Sequence, residues 1–224
     1  RELSSHFRQG SEIYRAVDQL SFELRAGERL ALVGESGSGK TVTALSLLSL
    51  VPSPGRIVAG RLLFQGEDLL QATASRWRQL RGERIAYIPQ DPTTALNPVL
   101  RIGEQLVETL CAHRRISRQA VRREAIELLD KVRIPEPALR IDAYPHELSG
   151  GMRQRVVIAM ALAHGPDLII ADEATTALDV TVQAEIIGLL DDLCREQGAA
   201  LLFLSHDLGV VWRLCERILV MYAG

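Results

Sequence analysis

The sequence predicts an α/β fold in which a largely parallel sheet is interrupted by a helical subdomain. Three observations predict it. Short apolar runs, such as Arg29 to Val33, Leu168 to Ala171 and Ala200 to Ser205, alternate with segments of helical spacing, the pattern that builds parallel sheets. From about residue 100 to 147 the chain carries helical spacing and dense charge with no convincing strand. The 224 residues, 47% hydrophobic and 24% charged, suit one large domain or one core with a sizeable insertion.

The elements follow in order. The chain opens in an extended stretch, and alternating apolar residues from Ala16 to Leu24 predict a strand that turns at Ala26-Gly27-Glu28. Arg29 to Val33 reads as a buried strand, Gly34 to Gly39 as a glycine-rich loop, and Lys40 to Leu50 as a helix stopped by Pro52 and Pro54. Ile57 to Phe64 and Arg84 to Ile88 are further strands, the second closed by Pro89. Ile102 to His113 and Ser117 to Val132 are amphipathic helices, with Ser117 as an N-cap. The α/β pattern resumes with a helix at Gly150, the strand Leu168 to Ala171, a helix from Val180 to Gln197, the strand Ala200 to Ser205 and a last strand, Arg217 to Tyr222. The expected organisation is thus a core of residues 1–90 and 150–224 with an insertion at about 91–149. The abrupt ends suggest a piece of a longer polypeptide.

Composition excludes several classes. A net charge of −2 argues against general nucleic-acid binding. Cys111, Cys194 and Cys215 lie far apart and form no CxxC pair, which disfavours a zinc site or a disulfide framework and suits a reducing compartment. The longest apolar stretch, Val156 to Gly165, is about half of the ~20 residues a spanning helix needs.

The chemistry concentrates in two places. Gly34-Glu35-Ser36-Gly37-Ser38-Gly39-Lys40-Thr41 matches GxxxxGK[ST] in full, between a predicted strand and a predicted helix. Glycines let successive backbone N–H groups curl around phosphate oxygens, and the following helix aims its positive end at the anion. Lys40 can reach the β- and γ-phosphates, and the Thr41 hydroxyl can ligate Mg²⁺. The loop alone does not choose among kinases, GTPases and ATPases. The second place is the apolar strand ending in Asp172-Glu173. There Asp172 is expected to hold Mg²⁺, directly or through water, and Glu173 to polarise the attacking water.

Leu148-Ser149-Gly150-Gly151-Met152-Arg153-Gln154-Arg155, just before that acidic strand, resembles the LSGGQ signature of ABC ATPases. The other stations of that family follow in register: Gln90 resembles the Q-loop glutamine, Ala177-Leu178-Asp179 the D-loop, and His206 the switch histidine. The resemblance covers almost the whole chain. It implies a P-loop NTPase core with a mostly parallel sheet, an antiparallel β subdomain and an inserted α-helical subdomain. It also implies catalytic roles for Lys40, Gln90, Glu173 and His206, and Mg²⁺ ligation by Thr41, Gln90 and Asp172. Nucleotide contacts are implied for Gly34 to Thr41, for Asp179, and for Ser149, Gly150 and Gly151 on the opposing subunit's ATP. Phe7 is the expected adenine platform, with Tyr14 as the alternative.

Longer stretches, among them QDPTTALNP, YPHELSGGMRQRVVIAMAL and ADEATTALDVTVQAEI, look like the oligopeptide, dipeptide, glutathione and nickel importer subfamily. That likeness implies a motor on the cytoplasmic face of the inner membrane, bound peripherally. Its partners would be a second ABC ATPase domain, identical or paralogous, transmembrane permease subunits touched at roughly Asp91 to Arg115, and indirectly a periplasmic or extracellular solute-binding protein. No nucleic acid is expected. Two departures stand out: Ala174 replaces the proline usual after the glutamate, which predicts a slightly less fixed Glu173, and Pro89 replaces a common aromatic residue. A soluble ABC ATPase of DNA repair or translation is the alternative. The 58 residues between Gln90 and Ser149 (positions 91–148) leave no room for the long coiled coil of some of those proteins. A small-molecule P-loop kinase would not need the signature run.

Overall fold

The computed structural model describes residues 1–114, 117–176 and 178–224. Arg115, the expected end of the permease contact, and Ala177 of the D-loop lie outside the described residues. In chain order the elements are β1 (Leu3–Gln9), β2 (Glu12–Leu20), β3 (Arg29–Val33), α1 (Lys40–Leu47), β4 (Gly55–Ala59), β5 (Leu63–Phe64), β6 (Glu67–Asp68), α2 (Ala74–Leu80), β7 (Ile85–Ile88), α3 (Pro92–Ala95), α4 (Ile102–Cys111), α5 (Arg118–Lys131), α6 (Pro137–Arg140), α7 (Gly150–Leu162), β8 (Leu168–Asp172), α8 (Val180–Gln197), β9 (Ala200–Ser205), α9 (Leu208–Leu214) and β10 (Arg217–Val220).

Five strands form a parallel sheet in the order β10-β3-β9-β8-β7. Its middle strands are apolar except at their ends, at Arg29, Asp172 and Ser205, because both faces are covered. Period-two alternation divides their side chains between two cores. Leu30, Leu32, Ile170, Leu202 and Leu204 join Ala44 of α1 and Leu48, which caps its end, on one face. Ala31, Val33, Ile169, Ala171, Leu201 and Phe203 join α7, α8 and α9 on the other. That second core runs without a break into the inserted helices through Ile102, Leu106, Leu110, Val121, Ala125 and Leu129.

A separate antiparallel sheet, ordered β2-β1-β4, leans on α1, where the buried Ser5 and Ser46 hydroxyls meet at 2.7 Å. The structure shifts some boundaries. The strand expected at Ala16 to Leu24 begins at Glu12, because β1 and β2 form a hairpin about Gly10, and it leaves the sheet after Leu20, with Phe22 and Leu24 packing on the core instead. The strand expected at Ile57 to Phe64 breaks at Gly60, whose φ of 109° and contact with the Leu3 backbone forbid a side chain. Helices α2 and α9 were not anticipated. Each is seven residues long, too short for a periodic signal, and each is N-capped, by Thr73 and Asp207.

Candidate nucleotide-binding and hydrolytic site

The candidate site lies beyond the carboxyl ends of β3, β8 and β9, where open α/β sheets bind ligands. The phosphate loop leaves β3 and enters α1 through Gly39, whose φ is 103°. A Cβ there would sit 2.2 Å from the Ala16 carbonyl oxygen of β2, so the antiparallel sheet fixes the loop against α1 and only glycine fits. No side chain caps α1, which leaves its first-turn N–H groups available.

Lys40 is 4% exposed. Its Nζ donates to the Gly34 carbonyl at 2.7 Å and the Glu35 carbonyl at 3.0 Å, and lies 3.4 Å from Glu173 Oε1. Thr41 Oγ1 donates to Asp172 Oδ1 at 3.2 Å, and the Tyr87 hydroxyl donates to Asp172 Oδ2 at 3.0 Å. Burial pushes the Asp172 carboxyl above its ordinary range, opposed by those two hydrogen bonds and helped by the neighbouring Glu173 charge. Burial, then the Asp172 charge and hydrogen bond, push the Tyr87 phenol above its ordinary value, so it stays a donor.

Glu173 turns the chain at the end of β8 with a φ of 47°, the left-handed region. That turn carries its carboxylate to the same side as Asp172. Gln90 Nε2 donates to its Oε2 at 3.4 Å, Thr176 Oγ1 donates to the same oxygen at 3.4 Å, and His206 Nδ1 lies 3.2 Å from it. Lys40, Gln90, Thr176 and His206 therefore all meet one carboxylate. Glu173 is held from several sides although Ala174 follows it, and a proline there would favour extended geometry over the observed turn.

The structure thus brings together Lys40, Thr41, Gln90, Asp172, Glu173 and His206. It does not bring the signature to them: among the described residues no hydrogen bond joins Ser149, Gly150 or Gly151 to residues 34–41. Ser149 is the exposed N-cap of α7, its Oγ accepting from Met152 N at 3.2 Å. Asp179 caps α8, accepting from Val182 N at 3.0 Å. Phe7 is half-buried, packed where a Gly55 side chain would go, directly across from Tyr14, which is 77% exposed. Sequence reasoning missed Tyr87 and Thr176. The single signal for Tyr87 was a phenol inside an otherwise aliphatic strand.

The family profile described as "ABC transporter" matches residues 17–176. The chain belongs to the ABC transporter family. It is the ATP-binding domain of such a transporter, an ATPase. Among curated relatives, a probable peptide ABC transporter ATP-binding protein of Sinorhizobium fredii is 50% identical over 225 residues, covering 100% of this chain and 67% of that protein. The oligopeptide transport ATP-binding protein OppD of Bacillus subtilis is 48% identical over 225 residues, covering 100% and 63%. This ABC domain therefore spans about two thirds of the length of those relatives. A solved ATP-binding cassette, MJ0796, in a dimeric post-hydrolysis state bound to ADP and Pi, superposes with a TM-score of 0.86 at 28% identity, covering 100% of this chain and 94% of that one.

Mg²⁺ fits this ABC domain on the chemistry of its donors. A threonine hydroxyl and a carboxylate oxygen already lie within hydrogen-bond distance at the loop's end, both hard oxygen ligands of the kind that ion takes beside phosphates. Among the described residues no helix is long and apolar enough to cross a membrane.

Proposed function

We propose that the chain is a single ABC nucleotide-binding domain that powers import of peptides or related small solutes. In this reading it works from the cytoplasmic face of the membrane, through permease subunits and, indirectly, a solute-binding protein. The names of its relatives support the peptide reading, and support transport over a soluble role in DNA repair or translation. The observation that carries the hydrolytic reading is the meeting of Lys40, Gln90 and His206 on Glu173, beside the Thr41–Asp172 pair.

Residues 34–41 would bind the triphosphate through backbone N–H groups and the positive end of α1. Lys40, already desolvated, supplies a cation to the phosphates with little further reorganisation. Thr41, Asp172 and Gln90 would hold Mg²⁺, which when bound neutralises charge on the phosphate oxygens. Glu173 orients the attacking water and accepts its proton, and His206 donates to the γ-phosphate. The Glu173 carboxylate lies 3.4 Å from Lys40 Nζ, which places the proposed base beside the cation that would face the phosphates. Phe7 is proposed to stack on adenine. Ser149, Gly150 and Gly151 would close over ATP held by a second domain placed head to tail, with Asp179 beside the nucleotide; that the solved relative is dimeric supports a paired arrangement.

Glu173→Gln tests this. The variant should bind ATP, hydrolyse it at least about a hundredfold more slowly, and elute as a nucleotide-dependent dimer. Full turnover by that variant would remove Glu173 from the mechanism.

A further inference from the structure

We infer that Tyr87 is a positioning residue for the metal-binding carboxylate: its hydroxyl fixes Asp172 Oδ2 so that Oδ1 faces Thr41 and the ion. The inference rests on the proposed reading of Thr41 and Asp172 as metal ligands. It starts from strand register. Tyr87 of β7 pairs with Ile170 of β8, so the two side chains leave the sheet on the same face, the one covered by α1. Asp172 follows Ile170 by two residues and shares that face. The Tyr87 ring therefore packs on the α1-side core while its hydroxyl reaches forward to Asp172 Oδ2 at 3.0 Å.

The two carboxylate oxygens have different partners. Oδ1 takes its hydrogen bond from Thr41, whose hydroxyl is itself an expected ligand and is free to turn toward an ion. Oδ2 takes its bond from a phenol with no other expected task. Asp172 is 2% exposed, so water is a poor substitute for that donor. Removing the hydroxyl leaves Oδ2 unpaired in a buried place and frees the carboxylate to rotate away from Thr41. The phenol thus does for this aspartate what outer partners do for metal ligands generally. It also ties the carboxylate to the strand that leads into Gln90, three residues on.

Mn²⁺ binding, followed by electron paramagnetic resonance at saturating ADP, tests the inference. Tyr87→Phe should weaken Mn²⁺ binding about tenfold, while nucleotide affinity in EDTA stays at the wild-type value. In an Asp172→Asn background, itself weak in Mn²⁺ binding, the same change should add nothing. Two results overturn the inference: wild-type Mn²⁺ affinity in Tyr87→Phe, or an equal loss of metal-free nucleotide affinity, which marks a general structural role. Undiminished Mn²⁺ binding by Asp172→Asn would instead remove the metal site itself.

Discussion

Two helices of this domain have glycine at or just before their first residue, and their N-termini are finished differently. At α1 the entering Gly39 is left-handed, no side chain caps the helix, and the adjacent Lys40 is buried and already bonded to loop carbonyls. At α7 the entering Ser149 is exposed and uses its own hydroxyl to cap the first turn. The first end is a rigid socket completed by residues of its own chain. The second satisfies itself and stands apart from that socket. One chain therefore carries two unlike helix ends, which the proposed head-to-tail pair would bring together across subunits.

The largest effect should come from pairing defects in the two ends. Lys40→Met removes the socket's cation and should slow hydrolysis roughly a hundred- to a thousandfold. Ser149→Asp keeps a good helix cap but places a negative charge against the partner's phosphate, and should slow it comparably. Mixed in equal amounts, the two inactive proteins should regain roughly a quarter of wild-type turnover, because half of the pairs carry one site free of both defects. A mixture as inactive as its components would mean that each chain completes its own site, and the comparison would fail.

Glycine substitutions sharpen the contrast in rigidity. Gly39→Ala puts a Cβ 2.2 Å from the Ala16 carbonyl oxygen at a φ of 103°, and urea unfolding should show a loss of more than about 3 kcal/mol. Gly37 is also left-handed, with a φ of 81°, but has nothing within 4 Å, so Gly37→Ala should cost only the ~1–2 kcal/mol of backbone strain. At the other end, a Cβ on Gly150 meets Leu178 at an ordinary 3.6 Å, and Gly150→Ala should leave stability within about 1 kcal/mol of wild type. Equal losses at Gly39 and Gly150 would erase the distinction.

The same contrast explains what could be read from sequence. The phosphate loop, the strand ending at Asp172 and the helix from Val180 to Gln197 were legible because each carries local information: glycine spacing, an apolar run, a 3.6-residue period. Ser149 as a helix start was legible for the same reason. The hairpin of β1 and β2 was less so, since its register depends on pairing across Gly10 and on β4. Tyr87 was missed because its one signal, a phenol in an aliphatic strand, does not tell which strand lies beside β8, and its role depends on that topology. A turn at the end of β8 follows from the two adjacent carboxylates sharing one site, but its left-handed form at Glu173 was not legible, because glutamate has no preference for it; there the Glu173 N–H donates to the Leu204 carbonyl at 3.0 Å.

The smallest effect separates the two tasks assigned to Ser149. As a cap, its hydroxyl satisfies one of the N–H groups that a helix start leaves open. Ser149→Ala removes that bond and should lower stability by about 1 kcal/mol, whereas Ser149→Asp, an equally good cap, should leave it nearly unchanged. Hydrolysis should rank the two in the opposite order. Alanine leaves the helix end positive and uncharged by side chains, so the partner's phosphate is still attracted. Aspartate repels it. Thermal unfolding and steady-state turnover on the same two proteins should therefore cross over: the more stable variant should be the slower enzyme. If stability and turnover instead fall together, Ser149 acts only by holding α7 in shape, and the open half-site loses its claim on phosphate.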